Sequence, residues 1–161
     1  MAANVFCKVD GIPGESSDEN HKDYFEVLNF THDMEQDSAG SVSGAGAHIS
    51  GRVNHTPFTL TKSLDKASPK LAASCSKGSH IPSVVIECYR HLGSNVKFME
   101  YKLTDCVVKS VTTSGAAQGL PTETLTFAYS KIEWTYTQYD NKGKKQGEVK
   151  ASYDCESQKA A

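Results

Sequence analysis

The sequence predicts an all-β domain with mainly antiparallel strands and one short α-helix, arranged as a barrel or a sandwich. Residues 122–139 carry the strongest signal, because they are rich in Thr, Tyr, Phe, Ile and Trp and contain no Gly or Pro. The other extended segments follow one another with a single helical pattern between them, which is typical of antiparallel sheets. At 161 residues the chain is expected to form one domain, residues 1–161, that buries its own core.

The N-terminal part begins with strands and then changes character. Residues 4–10 predict a first strand that ends at the turn Gly11-Ile12-Pro13-Gly14, and residues 22–32 predict a second strand. Residues 33–51 predict an extended loop rich in Gly and Ser, because they carry almost no bulky apolar side chain for a core. Composition favours a surface loop there, and a ligand cradle or a docking arm remain as alternatives.

One helix is predicted, over residues 69–77. Ser68 is suited to the N-cap position, Pro69 to the first helical position and Gly78 to the C-terminal stop. A narrow apolar stripe is expected to face the core, and it consists of Leu71, Ala72 and Cys75.

Four further segments have the composition of half-buried strands. Residues 52–62 look extended, and Pro57 within them indicates an edge strand or a bulge. Residues 83–92 and 97–111 alternate between apolar and polar side chains, and residues 148–153 are expected to return as the last strand.

The long strand over residues 122–139 contains a change of phase. Its apolar residues alternate through Leu125 and Phe127, and then continue on the other parity through Ile132 and Trp134. A shift of one residue moves side chains to the opposite face of a sheet. We therefore expect a bulge or bend near Ser130, or a passage of the strand from one packing environment to another.

The five cysteines are expected to be reduced thiols. Their number is odd and they are scattered along the chain, so no disulfide framework is indicated. Four are expected to pack as small hydrophobic residues, whereas Cys155 falls in residues 154–161, which look like a frayed tail.

Charge and motifs indicate a protein that binds or assembles and is not an enzyme. The net charge of −2 predicts no attraction to nucleic acid, and no apolar run is long enough for membrane insertion. No catalytic, cofactor-binding or metal motif is found among the six histidines and five cysteines, and Glu123 and Glu133 are expected to lie on a solvated strand face. A monomeric barrel that binds a hydrophobic ligand remains the alternative, and a small Cys or His hydrolase is a third possibility.

Four blocks of sequence, in order, resemble the Hcp family, the tube proteins of bacterial type VI secretion. The blocks are VDGIPGES at 9–16 with HKD at 21–23 and EVL at 26–28, FTLTK at 58–62 with LDKASPKL at 64–71, YKLTD at 101–105, and PTET at 121–124 with KIEWTY at 131–136. The resemblance implies a β-barrel of two sheets with one short flanking α-helix. It further implies a six-membered ring with a wide channel, rings that stack into a tube, and a sheath and a spike as further partners. It also implies that the channel holds and protects effector proteins, that no cofactor is needed, and that the protein is made in the bacterial cytoplasm and then secreted without a signal peptide.

The resemblance also assigns roles to two segments. Residues 33–51 would form the extended loop that reaches the next ring, and the candidate ring-stacking residues are Ser38, Gly40, Ser43, Gly44, Gly46 and His48. The helix would lie near the channel wall, with candidate channel-side residues Lys70, Ala73, Ser74 and Lys77.

Overall fold

The computed structural model describes residues 3–38 and 50–161. Within these residues the chain forms eleven strands and one helix, so the all-β class is confirmed. In chain order the elements are β1 (Ala3–Val9), β2 (Phe25–Glu26), β3 (Asn29–Thr31), β4 (Met34–Ser38), β5 (Ser50–His55), β6 (Phe58–Ser63), α1 (Ser68–Lys77), β7 (His80–His91), β8 (Asn95–Ser114), β9 (Thr122–Tyr139), β10 (Lys145–Asp154) and β11 (Lys159–Ala160).

Nine strands form one sheet and two strands form a separate hairpin. The main sheet has the order β11-β10-β9-β8-β7-β1-β2, and β6 pairs with both β3 and β9. Strands β4 and β5 pair with each other in the second sheet. Every pairing is antiparallel, as expected for strands joined mostly by short connections.

The sheet does not close into the barrel that we expected. The segment predicted as one strand over residues 22–32 is divided into β2, which pairs with β1, and β3, which pairs with β6. The hydrogen-bonded ladder is therefore interrupted between β2 and β3. The curved sheet nevertheless surrounds one core, at the centre of which the paired residues Val84, Leu103 and Ile132 are fully buried.

Strand β9 changes its neighbour halfway along its length, which explains its change of phase. Its first part, residues 122–127, pairs with β6, and its second part, residues 131–139, pairs with β10. Phe127 and Ile132 are both fully buried although they have opposite parity. The second expectation, a passage between packing environments, is thus confirmed. A register shift occurs in the neighbouring strand β8, between Val108 and Ser110.

The helix begins one residue earlier than predicted. Ala67 is its N-cap and Ser68 its first residue, because the Ser68 hydroxyl accepts a hydrogen bond from the Asp65 backbone N–H at 3.0 Å and does not cap the helix. Gly78 ends the helix in the left-handed conformation, with φ of 62°, as predicted for a C-terminal stop.

The buried stripe of α1 differs from the predicted one. Leu71 and Ser74 are buried and Cys75 is half-buried, whereas Ala72 is exposed. The helix packs against β8, and Ser74 takes the core-facing position because it lies three residues from Leu71 along the same helix face.

The C-terminal residues fold back onto the sheet where a frayed tail was expected. Lys159 and Ala160 pair with Asp154 and Tyr153 of β10. Cys155 is consequently half-buried, and burial raises the pKa of its thiol. All five cysteines are free, and Cys7, Cys88 and Cys106 are buried. Within the described ranges, no helix has the length and apolar character needed to cross a membrane.

Candidate assembly surfaces

The β4–β5 hairpin occupies the two ends of the predicted Gly/Ser-rich loop. Its cross-strand pairs run from Met34 opposite His55 to Ser38 opposite Ser50. Ser38 therefore lies in a strand, and the remaining candidate ring-stacking residues fall outside the described residues. These are Gly40, Ser43, Gly44, Gly46 and His48.

The base of the hairpin is closed by reciprocal hydrogen bonds between its two ends. The Thr56 backbone N–H and hydroxyl both donate to the Asp33 carbonyl, at 3.1 and 2.8 Å. The Thr56 hydroxyl also accepts from the Asp33 backbone N–H at 3.3 Å. These bonds fix where the hairpin leaves the main sheet.

A hydroxyl group of the main sheet joins both ends of the hairpin. Tyr129 Oη on β9 lies 2.6 Å from His32 Nε2 and 3.0 Å from His55 Nδ1. We call these three residues the Tyr129 bridge. The sequence analysis missed this bridge, because its members are 97 and 74 residues apart and no local pattern relates them. The one available signal was the position of a histidine at each end of the Gly/Ser-rich segment.

Burial perturbs the ionisation of all three groups of the Tyr129 bridge. Desolvation lowers the pKa of His32 and of His55, because both rings are partly removed from water. The nearby His55 lowers the pKa of His32 further, and Asp33 opposes this effect. Burial also raises the pKa of the Tyr129 hydroxyl.

The apolar face of the main sheet extends beyond the core. The cross-strand row Val149, Tyr136, Met99 and Cys88 lies on the same face as the buried Ile132, because Ile132 and Tyr136 are four residues apart in β9. Cys88 is buried, but Tyr136 is 42% exposed and Val149 is 70% exposed. We call this row the open apolar face, since its outer end is exposed to solvent in the part of the chain that the structure describes.

A buried ionic cluster ties α1 to the sheet. Lys62 is 1% exposed, and its Nζ lies 2.7 Å from both Asp65 Oδ1 and Glu123 Oε1. Ser68 donates to the same Glu123 oxygen at 2.7 Å. Glu123 was expected on a solvated face, and this expectation was wrong because Glu123 shares the parity of the buried Phe127. The position of Glu123 on the same face of β9 as Phe127 was the signal in the sequence that could have revealed this cluster.

A second buried polar cluster holds the loop between β1 and β2. His21 is 5% exposed, its Nδ1 lies 2.8 Å from Asp18 and its Nε2 lies 3.3 Å from Glu87. The ring stacks on Phe6 at 4.1 Å between centroids. The hydrogen bond to His21 is the main cause that lowers the pKa of Asp18. Tyr89 also donates to Glu87, so the polar groups satisfy one another within the fold.

The helix presents most of its candidate channel-side residues to solvent. Lys70, Ala73 and Lys77 are exposed, whereas Ser74 is only 8% exposed and faces the core. A channel-side surface on α1 would therefore consist of the other three residues.

The architecture is that of an antiparallel sheet protein with one flanking helix and a separate two-stranded hairpin, which defines the class of all-β proteins. Comparison with known proteins identifies the family. The family model for the type VI secretion system effector Hcp matches residues 6–136. The chain is also 30% identical over 149 residues to "Protein hcp1" of Pseudomonas aeruginosa, and this match covers 91% of each chain. The chain belongs to the Hcp family of type VI secretion proteins, and the resemblance is confirmed.

Solved structures support the same assignment. A structure of a type six secretion system protein has a TM-score of 0.93 and 31% identity, and the match covers 99% of this chain and 100% of that one. The crystal structure of Hcp1 from Salmonella typhimurium has a TM-score of 0.81 and 30% identity, with 100% of both chains covered. The "Major exported protein" of Pseudomonas aeruginosa is a further relative. It is 27% identical over 135 residues, and the match covers 76% of this chain and 74% of that one.

Proposed function

We propose that this chain is a structural subunit of the type VI secretion tube, in which six copies form a ring and the rings stack. The observation that carries the proposal is the open apolar face. Val149 and Tyr136 continue a core-facing row into solvent, and burying such side chains stabilises a contact by about 1.5–3 kcal/mol each. A neighbouring copy would cover this face in a closed ring.

The β4–β5 hairpin is suited to the contact between rings. It pairs with no other strand among the residues that the structure describes, so a strand of another copy would extend this small sheet by pairing with it. Its connecting segment, which contains most of the candidate ring-stacking residues, is rich in Gly and Ser. Ordering such a segment costs conformational entropy, which would keep stacking weak until sheath and spike proteins promote it.

The channel would hold effector proteins beside α1. Lys70 and Lys77 are exposed on this helix, and Ala73 lies between them. Two long cationic side chains beside a small residue form a surface that is hydrophilic enough for a protein cargo to leave again. In this proposal the protein is made in the bacterial cytoplasm, protects effectors there and is then exported with them.

The alternative of a barrel around a hydrophobic ligand finds no support in the core. Phe58, Leu103 and Phe127 are fully buried and belong to the same packed cluster. The interior is therefore filled by the side chains of the chain itself.

Native mass spectrometry tests the ring with a matched pair of variants. Val149→Glu places a charge on the open apolar face, whereas Lys150→Gln changes the next residue, which points to the opposite face of β10. We expect a six-subunit species for the wild type and for Lys150→Gln, and folded monomers for Val149→Glu. A wild-type protein that remains monomeric at every concentration, with no rings in negative-stain images, would contradict the proposal.

A further inference from the structure

The two ends of the β4–β5 hairpin meet at one hydroxyl group. His32 precedes β4 and His55 ends β5, so the two imidazoles lie on the two segments that join the hairpin to the rest of the chain. Both contact Tyr129 Oη, at 2.6 and 3.0 Å. Because Tyr129 belongs to β9, the Tyr129 bridge connects the hairpin to the centre of the main sheet.

The hydrogen bonds of the bridge are all satisfied only while the histidine that accepts the Tyr129 proton is neutral. A tyrosine hydroxyl has one proton to donate, and a neutral imidazole has one donor and one acceptor nitrogen. One histidine therefore donates to Tyr129 Oη, and the other accepts the Tyr129 proton. If the accepting imidazole gains a proton, both histidines become donors to Tyr129 Oη and the Tyr129 hydroxyl proton loses its acceptor. The second proton would also create two cations whose ring centroids are 6.2 Å apart.

Aromatic side chains surround the bridge and limit its access to water. His32 stacks on Phe58 of β6 at 5.3 Å and contacts Tyr101 of β8 and Trp134 of β9. His55 stacks on Tyr153 of β10 at 4.7 Å between centroids. Aromatic faces attract cations, but the partial loss of hydration opposes a charge more strongly, as the lowered pKa of both histidines indicates.

Few charged groups near the bridge favour a protonated histidine. Asp33 is adjacent to His32 and raises its pKa, but less than burial and His55 lower it. His55 borders a cleft of about 510 Å³ that also contains the cations Arg52 and Lys109 and the thiol of Cys155. Among the described residues that line this cleft there is no carboxylate. A proton on His55 would therefore face positive and neutral side chains in this cleft. A second cleft of about 480 Å³ that His55 lines also contains Arg52, and no Asp or Glu side chain lines it among the described residues.

We propose that His32, Tyr129 and His55 form a pH-sensitive bridge, which holds the β4–β5 hairpin against the main sheet near neutral pH and releases it in mildly acidic solution. Any effect of this release on ring stacking rests on the proposed function, whereas the opening of the hairpin itself does not.

The direction of the pH effect follows from the lowered pKa values. A histidine with a folded-state pKa below 6.5 stabilises the closed hairpin fully above pH 6.5, and this stabilisation is lost as the pH falls from 6.5 towards the folded pKa. In that interval the opening equilibrium increases by up to about tenfold per pH unit for each histidine.

Hydrogen exchange followed by mass spectrometry tests the bridge in the full-length protein. Peptides that cover residues 33–38 and 50–56 are compared at about pH 7.5 and about pH 5.5, after correction for the intrinsic exchange rate. In the wild type we expect several-fold more opening at the lower pH, whereas core amides near Leu103 stay protected at both values. In Tyr129→Phe we expect an open hairpin at both pH values, so the ratio of hairpin opening at the lower pH to that at the higher pH falls close to one.

Control variants separate the bridge from general effects. Tyr101→Phe removes the hydroxyl of another tyrosine whose ring contacts His32, and His80→Gln removes an exposed histidine that pairs with Asp105. Both variants should retain the wild-type pH ratio. If the Tyr129→Phe protein loses the protection of its core amides, the variants His32→Asn and His55→Gln are used in its place. Each of them should reduce the ratio of hairpin opening between the two pH values.

Two results would overturn the bridge: equal hairpin protection at both pH values in the wild type, or a wild-type pH ratio in folded Tyr129→Phe. Sedimentation of tubes at the same two pH values is a separate readout. If the hairpin opens in acid and the tubes persist, the bridge stands and the stacking role of the hairpin fails.

Discussion

Lys62 and Glu123 are direct cross-strand partners on β6 and β9, and their charged atoms lie 2.7 Å apart in a site where neither side chain is more than 2% exposed. Asp65 and Ser68 complete the hydrogen bonding of this pair. The cluster joins the beginning of α1 to the half of β9 that pairs with β6. An ion pair so deeply buried is stable only while every member keeps its partner.

Replacing Lys62 by Met should destabilise the fold strongly, because Asp65 and Glu123 would remain as buried carboxylates without a cation. We expect a loss of about 3–5 kcal/mol in the free energy of unfolding, measured by urea denaturation at a single protein concentration. The double variant Lys62→Met with Glu123→Leu should recover part of this loss. Lys145→Met, which removes an exposed partner of Glu148, should leave the free energy of unfolding nearly unchanged. Equal losses in Lys62→Met and Lys145→Met would show that the buried cluster has no special role.

Gly14 is needed because another part of the chain passes close to it. A Cβ atom added there would lie 2.5 Å from the Tyr24 carbonyl oxygen and 2.8 Å from Phe25 Cβ, and Phe25 is almost completely buried. Gly14→Ala should therefore lower the free energy of unfolding by about 1–3 kcal/mol. Gly147→Ala is the control, because a Cβ there meets no atom within 4 Å. The thermal midpoints of the two variants should differ clearly, and a Gly14→Ala protein as stable as Gly147→Ala would refute the steric argument.

Glu148 should titrate at an unusually acidic pH for an exposed carboxyl group. Hydrogen bonds from Lys145 and Lys150 lower its pKa from 4.5 to about 2. The ion pairs are therefore intact above pH 4.5, and they are lost as the pH falls through about 2. Carbon NMR of the side-chain carboxyl measures this titration directly. Because the site is exposed to solvent, high salt should move the pKa back towards the ordinary value. A titration near pH 4.5 at low salt would contradict the pairing.

Deleting residues 38–47 should separate ring formation from tube formation. The deletion removes most of the candidate ring-stacking residues and does not touch the open apolar face. We expect six-subunit rings of normal mass, no tubes in negative-stain images and no export from cells. The matched control replaces the same segment by a Gly/Ser linker of equal length, which keeps the number of residues and changes only Ala39, Val42, Ala45 and Ala47. Normal tubes and normal export from the deletion variant would show that the segment has no stacking role.

The local patterns of the sequence predicted the strands well and their partners poorly. The bounds of β9 are those predicted, 122–139, because period-two alternation is a property of neighbouring residues. The predicted strand over residues 52–62 is divided at Thr56 and Pro57 into β5 and β6, which belong to different sheets. The division separates the β4–β5 hairpin from the main sheet. Pro57 indicated a break in pairing but did not indicate that the two halves belong to different sheets.

By itself, the sequence determined the all-β class, the position of the helix and the family, because these depend on residue types and spacings along the chain. Tertiary structure alone decided that Glu123 is buried against Lys62, that the ladder stays open between β2 and β3, and that Tyr129 lies between two histidines. The physical reason is that hydrogen bonds and ion pairs act between neighbours in space. Partners 97 and 74 residues apart become neighbours only after the sheet has folded.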